Sequence, residues 1–217
     1  MSLIPIVTDE DATPEQANFF KHCTLMLGRV ANALRVAAHS PKIAQPLLGF
    51  MIPTLREEVT GNLSIGIKAL AILKTSMLNG CAYCIGHNTQ LGRAVGYSDE
   101  QIAALGGDYQ NSDQFTADER AAIAWAECLT LRTYRENPQV MQELKRHFNE
   151  AQIVEITMVS GFFNFWNRFT DGLQVDIEAS EQVGLIRNSK KVDVEDYLTY
   201  MRSAWWNAKT AEADDQP

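Results

Sequence analysis

A pair of cysteines followed by a histidine is the feature of this chain whose residue types and spacing most clearly indicate chemistry. Cys81 and Cys84 form a CxxC pair, and His87 follows three residues after Cys84. If the segment from Cys81 to Val95 is helical, the three side chains share one arc, with Cys84 between the other two. A helix N-terminus favours a thiolate, and a neighbouring histidine can take the thiol proton. The pattern therefore predicts a thiol nucleophile with a second thiol ready to resolve it.

Two other interpretations of the CxxC pair remain open. A zinc site needs about four ligands, usually from two paired motifs, and the sequence contains no second CxxC. Buried cysteines can also pack as inert small hydrophobic residues. The nearby histidine and the expected helix start favour the reactive interpretation for this pair. For the isolated Cys23 and Cys128, core packing is the better interpretation.

The composition is that of an ordinary globular protein, with 46% hydrophobic and 21% charged residues and a net charge of -8. No run of Lys or Arg appears, so we expect no nucleic-acid partner. Charged residues such as Lys68, Lys74 and Glu155 interrupt the most apolar stretches, and we expect no membrane span. The N-terminus lacks a signal-peptide pattern, so we expect a cytoplasmic protein whose thiols are kept reduced. No haem, flavin or metal motif is visible, and we expect no cofactor and no metal.

Helix signals dominate the sequence, and the predicted fold class is all-α. Thr13-Pro14, Ser98, Thr116 and Asn149 read as helix N-caps. Asn79-Gly80 predicts that a helix ends just before the CxxC pair. The helices that bear on the site are expected at Pro14–Ala38, Leu63–Leu78, Cys81–Val95, 150–169 and Val194–Ala208.

The sequence contains no tandem repeat, and we expect residues 1–217 to form a single all-helical domain. The polar loop Asp108–Asp113 is the best internal boundary. It would separate two halves of that domain, about 1–107 with the CxxC core and 114–217.

The segment Leu63–Gly96 resembles the core of the AhpD-like alkylhydroperoxidases, which belong to the carboxymuconolactone decarboxylase superfamily. CAYCIGH is its most specific part. Two later segments, 115–130 and 147–175, are similar to the second half of the peroxidase-related, two-part members. The resemblance implies an AhpD-like helical bundle that associates as a homo-oligomer. It also implies reduction of hydroperoxides by a redox-active disulfide, with His87 in a proton relay.

On this interpretation Cys84 is the expected nucleophile, because it lies between Cys81 and His87 on the helix. It would attack the peroxide O–O bond and become a sulfenic acid, which Cys81 would resolve to a disulfide. The reverse order stays open, because the first cysteine of a CxxC pair at a helix start is often the more acidic. A thiol protein or a small thiol must then reduce the disulfide.

One departure from the family pattern concerns the carboxylate of the relay. The family uses a glutamate twelve residues before the first cysteine, and this sequence has Ala69 there. An alanine cannot accept a proton, so another carboxylate would have to substitute. Glu58, Glu127 and Glu155 are candidates, and Glu127 is the first choice because it follows Trp125 in an apolar helix.

Two alternatives to peroxide reduction follow from the same scaffold. In a lactone decarboxylase-like lyase, His87 would be the general acid or base and the cysteines incidental. In a non-catalytic helical oligomer, neither group would turn over a substrate, and Ala69 favours this version. In all three versions the aromatic helix Ile153–Phe169 and the Trp-bearing last helix predict a homo-oligomer, with a dimer as the minimum.

Overall fold

The computed structural model describes residues 2–188, 191–205 and 207, and within them all regular secondary structure is helical. The predicted all-α class is confirmed. The α-helices are α1 Pro14–Leu27, α2 Asn32–Ala37, α3 Pro41–Leu55, α4 Glu57–Thr60, α5 Ile65–Leu78, α6 Ala82–Ala94, α7 Asp99–Gly106, α8 Ala117–Leu131, α9 Pro138–His147, α10 Glu150–Gly172, α11 Ser180–Gly184 and α12 Val194–Arg202, and a 3-10 helix spans Leu185–Asn188.

Reciprocal side-chain caps explain where several helices begin. Thr13, Ser98 and Asn149 each accept a backbone N–H of the first turn, and a glutamine three residues later caps each of them in return. These interactions satisfy backbone groups that have no partner inside the helix. The predicted starts of α1, α7 and α10 are confirmed.

The predicted long first helix is wrong, because the chain breaks at Gly28. This residue has a φ of 73°, a left-handed conformation that glycine adopts without steric cost, and its N–H bonds Thr24 O. The chain then turns and re-enters a helix at Asn32. The predicted last helix also ends earlier, at Arg202, and part of that prediction, Trp206 and Ala208, lies outside the described residues.

Helix α5 lies at the centre of the fold. Its residues 67–76 are all buried, and it packs against α3, α6, α8 and α10. The main hydrophobic core draws side chains from Val7 to Tyr200, on both sides of the loop Asp108–Asp113. A smaller cluster, which includes Leu70 and Tyr109, fills the space between α5, α7 and α8.

Two lysines of α5 are buried in this core and are paired with carboxylates. Lys68 Nζ lies 2.5 Å from Glu155 Oε1, and Lys74 Nζ lies 3.3 Å from Glu127 Oε1. A buried ammonium is tolerated only when it is paired and hydrogen-bonded. These pairs tie α5 to α10 and α8. Among the described residues, the structure has no helix both long and apolar enough to cross a membrane.

Candidate functional site: a dithiol beside a histidine–carboxylate pair

The CxxC pair lies at the N-terminus of α6. Cys81 is the N-cap, and its Sγ accepts the backbone N–H of Cys84 at 3.3 Å. The Thr170 hydroxyl of α10 lies 3.2 Å from Cys81 Sγ and 3.3 Å from Cys84 Sγ. Both cysteines are free thiols and are buried. The helix start and the hydroxyl between the sulfurs bring the two thiols together.

The two thiols differ in acidity. The pKa of Cys81 is lowered to about 6, chiefly because the S–H of Cys84 donates to its sulfur; Thr170 and the Cys84 N–H add to this, and burial opposes it. The pKa of Cys84 is raised, because its thiol proton makes that hydrogen bond and because it is buried. These opposite shifts favour ionisation of the pair at Cys81 rather than at Cys84.

His87 lies one helical turn beyond Cys84 and has a partner on each ring nitrogen. Its Nε2 lies 2.6 Å from Glu178 Oε2, and its Nδ1 lies 2.5 Å from Arg29 Nη2. A guanidinium only donates, so Nδ1 is the acceptor and Nε2 carries the proton that Glu178 accepts. Burial lowers the pKa of His87, and Glu178 opposes this shift. The imidazole is therefore a neutral ring with a defined tautomer.

Glu178 is a buried carboxylate held by several donors. Its Oε1 accepts the backbone N–H of Asn32 and the Tyr83 hydroxyl, the latter at 3.1 Å, and Arg29 Nη1 lies 3.6 Å away. Burial acts to raise the pKa of Glu178, but the hydrogen bonds and charges around it, led by His87, lower it to about 2. The group is ionised at physiological pH and supplies the negative charge next to His87.

Glu178 reaches the site on the segment 173–179, which we call the glutamate strap. The strap crosses α6 at Gly86, where a Cβ atom would lie only 2.5 Å from Ile177 Cδ1. The Ser2 N–H donates to Asp176 Oδ2 at 2.8 Å, so the N-terminal segment is bonded to the exposed side of the strap. Gly86 thus leaves room for the Ile177 side chain of the strap that carries Glu178 to His87.

A small buried cavity of about 80 Å³ lies beside these groups. Of the two cysteines, Cys84 is the one that lines it. Arg29, Arg56, Tyr83, His87 and Asn88 supply its polar wall. The apolar wall consists of Leu27, Ala31, Ala33, Leu34, Met51, Leu55, Leu91, Phe163, Trp166 and Ile186. A small, mostly apolar molecule placed there would meet the Cys84 sulfur and His87.

The CxxC segment also matches known proteins. The sequence profile of the carboxymuconolactone decarboxylase family matches residues 48–128. The uncharacterized protein YdfG of Bacillus subtilis (strain 168) is 28% identical over 104 residues, which cover 48% of this chain and 70% of YdfG. The crystal structure of a protein of unknown function from Agrobacterium tumefaciens, described as a candidate antioxidant defence protein AhpD, is 25% identical and covers 66% of this chain and 96% of its own, with a TM-score of 0.59.

The match to the carboxymuconolactone decarboxylase family covers residues 48–128, the part of the chain that contains the CxxC pair. The predicted resemblance to this family is confirmed over those residues, and so is the AhpD-like helical fold. An uncharacterized peroxidase-related protein from Silicibacter sp. TM1040 superposes with a TM-score of 0.71 over 85% of this chain and 95% of its own, at 21% identity. The debrominase Bmp8 superposes with a TM-score of 0.70 over 86% of this chain and 98% of its own, at 22% identity. At such identities the likeness concerns the fold alone.

The carboxylate next to His87 differs from the one that the sequence favoured. Glu127 pairs with Lys74 and accepts the Tyr109 hydroxyl at 2.5 Å, beside the smaller core cluster. The carboxylate that contacts His87 is Glu178, whereas Glu127, the carboxylate expected from the sequence, contacts Lys74. The reason is that Lys74, buried on the neighbouring helix, attracts Glu127 to its own charge.

The other two candidate carboxylates also lie elsewhere. Glu155 pairs with Lys68. Burial lowers the pKa of the Arg56 guanidinium to about 10, and the nearby charge of Glu58 opposes this shift. Sequence reasoning missed both Glu178 and Arg29, which lie outside the matched residues 48–128. Gly86 was the one local signal, because a glycine inside an otherwise helical pattern can mark the close approach of another segment.

Proposed function

We propose that this protein is a thiol-dependent oxidoreductase that reduces hydroperoxides by cycling Cys81 and Cys84 between dithiol and disulfide. The observation that carries the proposal is the shared hydrogen bonding of the two sulfurs. Cys81 Sγ accepts the backbone N–H of Cys84, and the Thr170 hydroxyl lies 3.2 Å from Cys81 Sγ and 3.3 Å from Cys84 Sγ. Two thiols that share a hydroxyl at a helix start are placed to form a disulfide.

In the first step a hydroperoxide enters the cavity and meets Cys84. Cys84 passes its proton to the Cys81 thiolate, whose sulfur lies beside the same Thr170 hydroxyl. The Cys84 thiolate then attacks the terminal oxygen of the hydroperoxide, the O–O bond breaks, and sulfenic acid and an alkoxide form. The alkoxide takes up one proton and leaves as the alcohol.

In the second step the Cys81 sulfur attacks the Cys84 sulfenic acid. The S–S bond forms, the S–O bond breaks, and the hydroxide leaves with one proton as water. An external dithiol, on a partner protein or a small molecule, then returns two electrons and restores the pair. A cytoplasmic location suits this cycle, because thiols are kept reduced there.

His87 is the proposed proton carrier for the alkoxide. It lines the same cavity as Cys84, and Glu178 fixes its tautomer and orientation. A carboxylate that orients a histidine also stabilises the imidazolium that forms when the ring takes up a proton. Glu178 would thus fill the role that the absent glutamate at Ala69 leaves vacant.

Cysteine variants test the proposal. With a hydroperoxide and excess dithiothreitol, the parent protein should turn over substrate, and Cys84→Ser should not. Cys81→Ser should form a sulfenic acid that a dimedone reagent traps, without a disulfide. Cys128→Ala, in the isolated buried cysteine, serves as the matched control and should behave like the parent. A parent protein that consumes no hydroperoxide refutes the proposal. Hydroperoxide turnover that persists in Cys84→Ser would instead mean that Cys81 is the sulfur that attacks the peroxide.

A second candidate is reductive dehalogenation of a small aromatic molecule. The structural neighbour Bmp8 is a debrominase, and a cysteine-to-alanine variant of it has been crystallised with 2,3,4-tribromopyrrole. In this chain Phe163 and Trp166 line the cavity next to Cys84. The dithiol would supply two electrons, the C–Br bond would become C–H, and bromide, a proton and the disulfide would form. Release of bromide from a bromopyrrole by the reduced protein distinguishes this candidate from peroxide reduction.

A further inference from the structure

Arg29 is the cation that closes one side of the dithiol cavity. It follows the left-handed Gly28 at the end of α1, and its side chain is 9% exposed. Arg29 lines the cavity that contains Cys84, and it also lines an open outer groove with Lys21 and Arg35. A molecule that passes from this groove to the thiols therefore meets the Arg29 guanidinium.

The two terminal nitrogens of this guanidinium differ in their hydrogen bonding. Arg29 Nη2 donates to His87 Nδ1 at 2.5 Å. Arg29 Nη1 is buried, lies 3.6 Å from Glu178 Oε1, and has no hydrogen-bond acceptor among the described residues. A buried charged donor without an acceptor is costly, and native proteins leave such groups mainly where a ligand or water completes them. Arg29, which carries this free donor, lines the same cavity as Cys84.

We propose that Arg29 Nη1 binds the oxygen that leaves when the O–O bond of the hydroperoxide breaks. The inference rests on the proposed peroxidase function and adds a substrate-contacting residue to it. As Cys84 attacks the terminal oxygen, negative charge develops on the other peroxide oxygen, and a fixed guanidinium stabilises that charge in a site with little water. Arg29 Nη2 lies 2.5 Å from His87 Nδ1, and this bond opens when Nδ1 takes up the proton that it carries to the same oxygen.

Two reagents distinguish stabilisation of the leaving oxygen by Arg29 from a structural role of Arg29 in holding the site together. Hydroperoxide requires a nucleophilic sulfur and stabilisation of an alkoxide. Iodoacetamide requires the same sulfur, but its leaving group is a stable iodide that needs no donor. Pre-steady-state rates of both reactions should therefore be measured on the reduced protein for the parent, Arg29→Lys and Arg29→Ala. Arg35→Ala is the matched control, because Arg35 lines the same groove and pairs with Asp9 at 2.9 Å.

Loss of one donor to a developing oxyanion slows such reactions by about 10²–10³-fold. We expect that loss for hydroperoxide in both Arg29 variants, while the iodoacetamide rate changes less than about threefold. Added guanidinium should restore Arg29→Ala, and ammonium at equal ionic strength should not. Equal losses with both reagents, or no loss in a folded Arg29→Lys, would overturn the inference. If Arg29→Ala does not fold, Arg29→Lys decides. A parent protein inert to hydroperoxide would instead refute the proposed function itself.

Discussion

His87 Nε2 and Glu178 Oε2 lie 2.6 Å apart, although 91 residues separate them in the chain. This contact gives the dithiol site a carboxylate–histidine pair even though the family's glutamate position holds Ala69. Gly86 leaves room for the Ile177 side chain of the glutamate strap, and α1 ends at Gly28, which places Arg29 on the other ring nitrogen. The candidate relay is thus assembled by three segments that are distant in sequence.

The first prediction concerns this pair. Glu178→Gln removes the charge that orients His87, and we expect hydroperoxide turnover at pH 7 to fall by about 10–100-fold, a part of what general acid–base help supplies. Glu181→Gln, on exposed α11, is the matched control and should retain the parent rate. Steady-state kinetics with excess dithiothreitol measure the effect. A Glu178→Gln protein as fast as the parent would show that His87 works without its carboxylate.

A second prediction concerns stability and pH. The folded-state pKa of Glu178, about 2, lies below the ordinary glutamate value of 4.5. The ionised group therefore stabilises the fold fully above pH 4.5, and its contribution is lost as the pH falls toward 2. We expect Glu178→Gln to reduce the free energy of unfolding by about 2 kcal/mol at pH 7. Less than half of that difference should remain at pH 3. Urea unfolding at both pH values tests this, and an equal difference at both would contradict it.

The pH dependence of thiol reactivity provides a third prediction. Because the pKa of Cys81 is lowered to about 6, the pair is about 90% monoanionic at pH 7. The rate of reaction with hydroperoxide should be nearly constant from pH 7 to 9 and fall about tenfold per unit below pH 5.5. Stopped-flow measurements on the reduced protein provide the profile. A rate that climbs tenfold per unit between pH 7 and 8.5 would mean that neither thiol is acidified.

A fourth prediction concerns assembly, which we propose to be a homo-oligomer. Val154, Met158 and Phe165 form an exposed apolar stripe on α10, and Phe165 is 49% exposed. Monomeric proteins seldom expose such a continuous stripe. We expect at least a dimer at micromolar concentration, which Phe165→Lys should weaken. Ile43→Lys, at an exposed position of α3, should leave the dimer intact. Light scattering that returns a mass near 24.3 kDa for the parent would contradict the proposal.

Local signals in the sequence predicted the part of the site that lies on one helix. Asn79-Gly80 and the CxxC pair indicated the start of α6, and the helical period placed His87 beyond Cys84. Glu178 could not be found in this way, because it lies on an irregular strap with no periodicity. Glu127 was misjudged for a related reason: the sequence does not show that Lys74 lies across the helix interface from it.

The break at Gly28 illustrates the same limit for the fold. A single glycine inside an otherwise helical pattern costs only about 1 kcal/mol, so propensity alone does not end the helix there. The chain ends α1 because the later turn packs Ala33 and Leu34 into the core, and this tertiary packing is not encoded locally. The consequence for the site, the placement of Arg29, was therefore also unpredicted.

A single-turnover reaction tests the central claim most directly. The fully reduced protein is mixed with one equivalent of a hydroperoxide without added reductant, quenched with an alkylating agent, and analysed by peptide mass spectrometry together with the alcohol product. The account predicts one alcohol for each Cys81–Cys84 disulfide, with Cys23 and Cys128 alkylated as free thiols after unfolding. Unchanged hydroperoxide with all four thiols free, or a disulfide that joins Cys23 to Cys128, would contradict it.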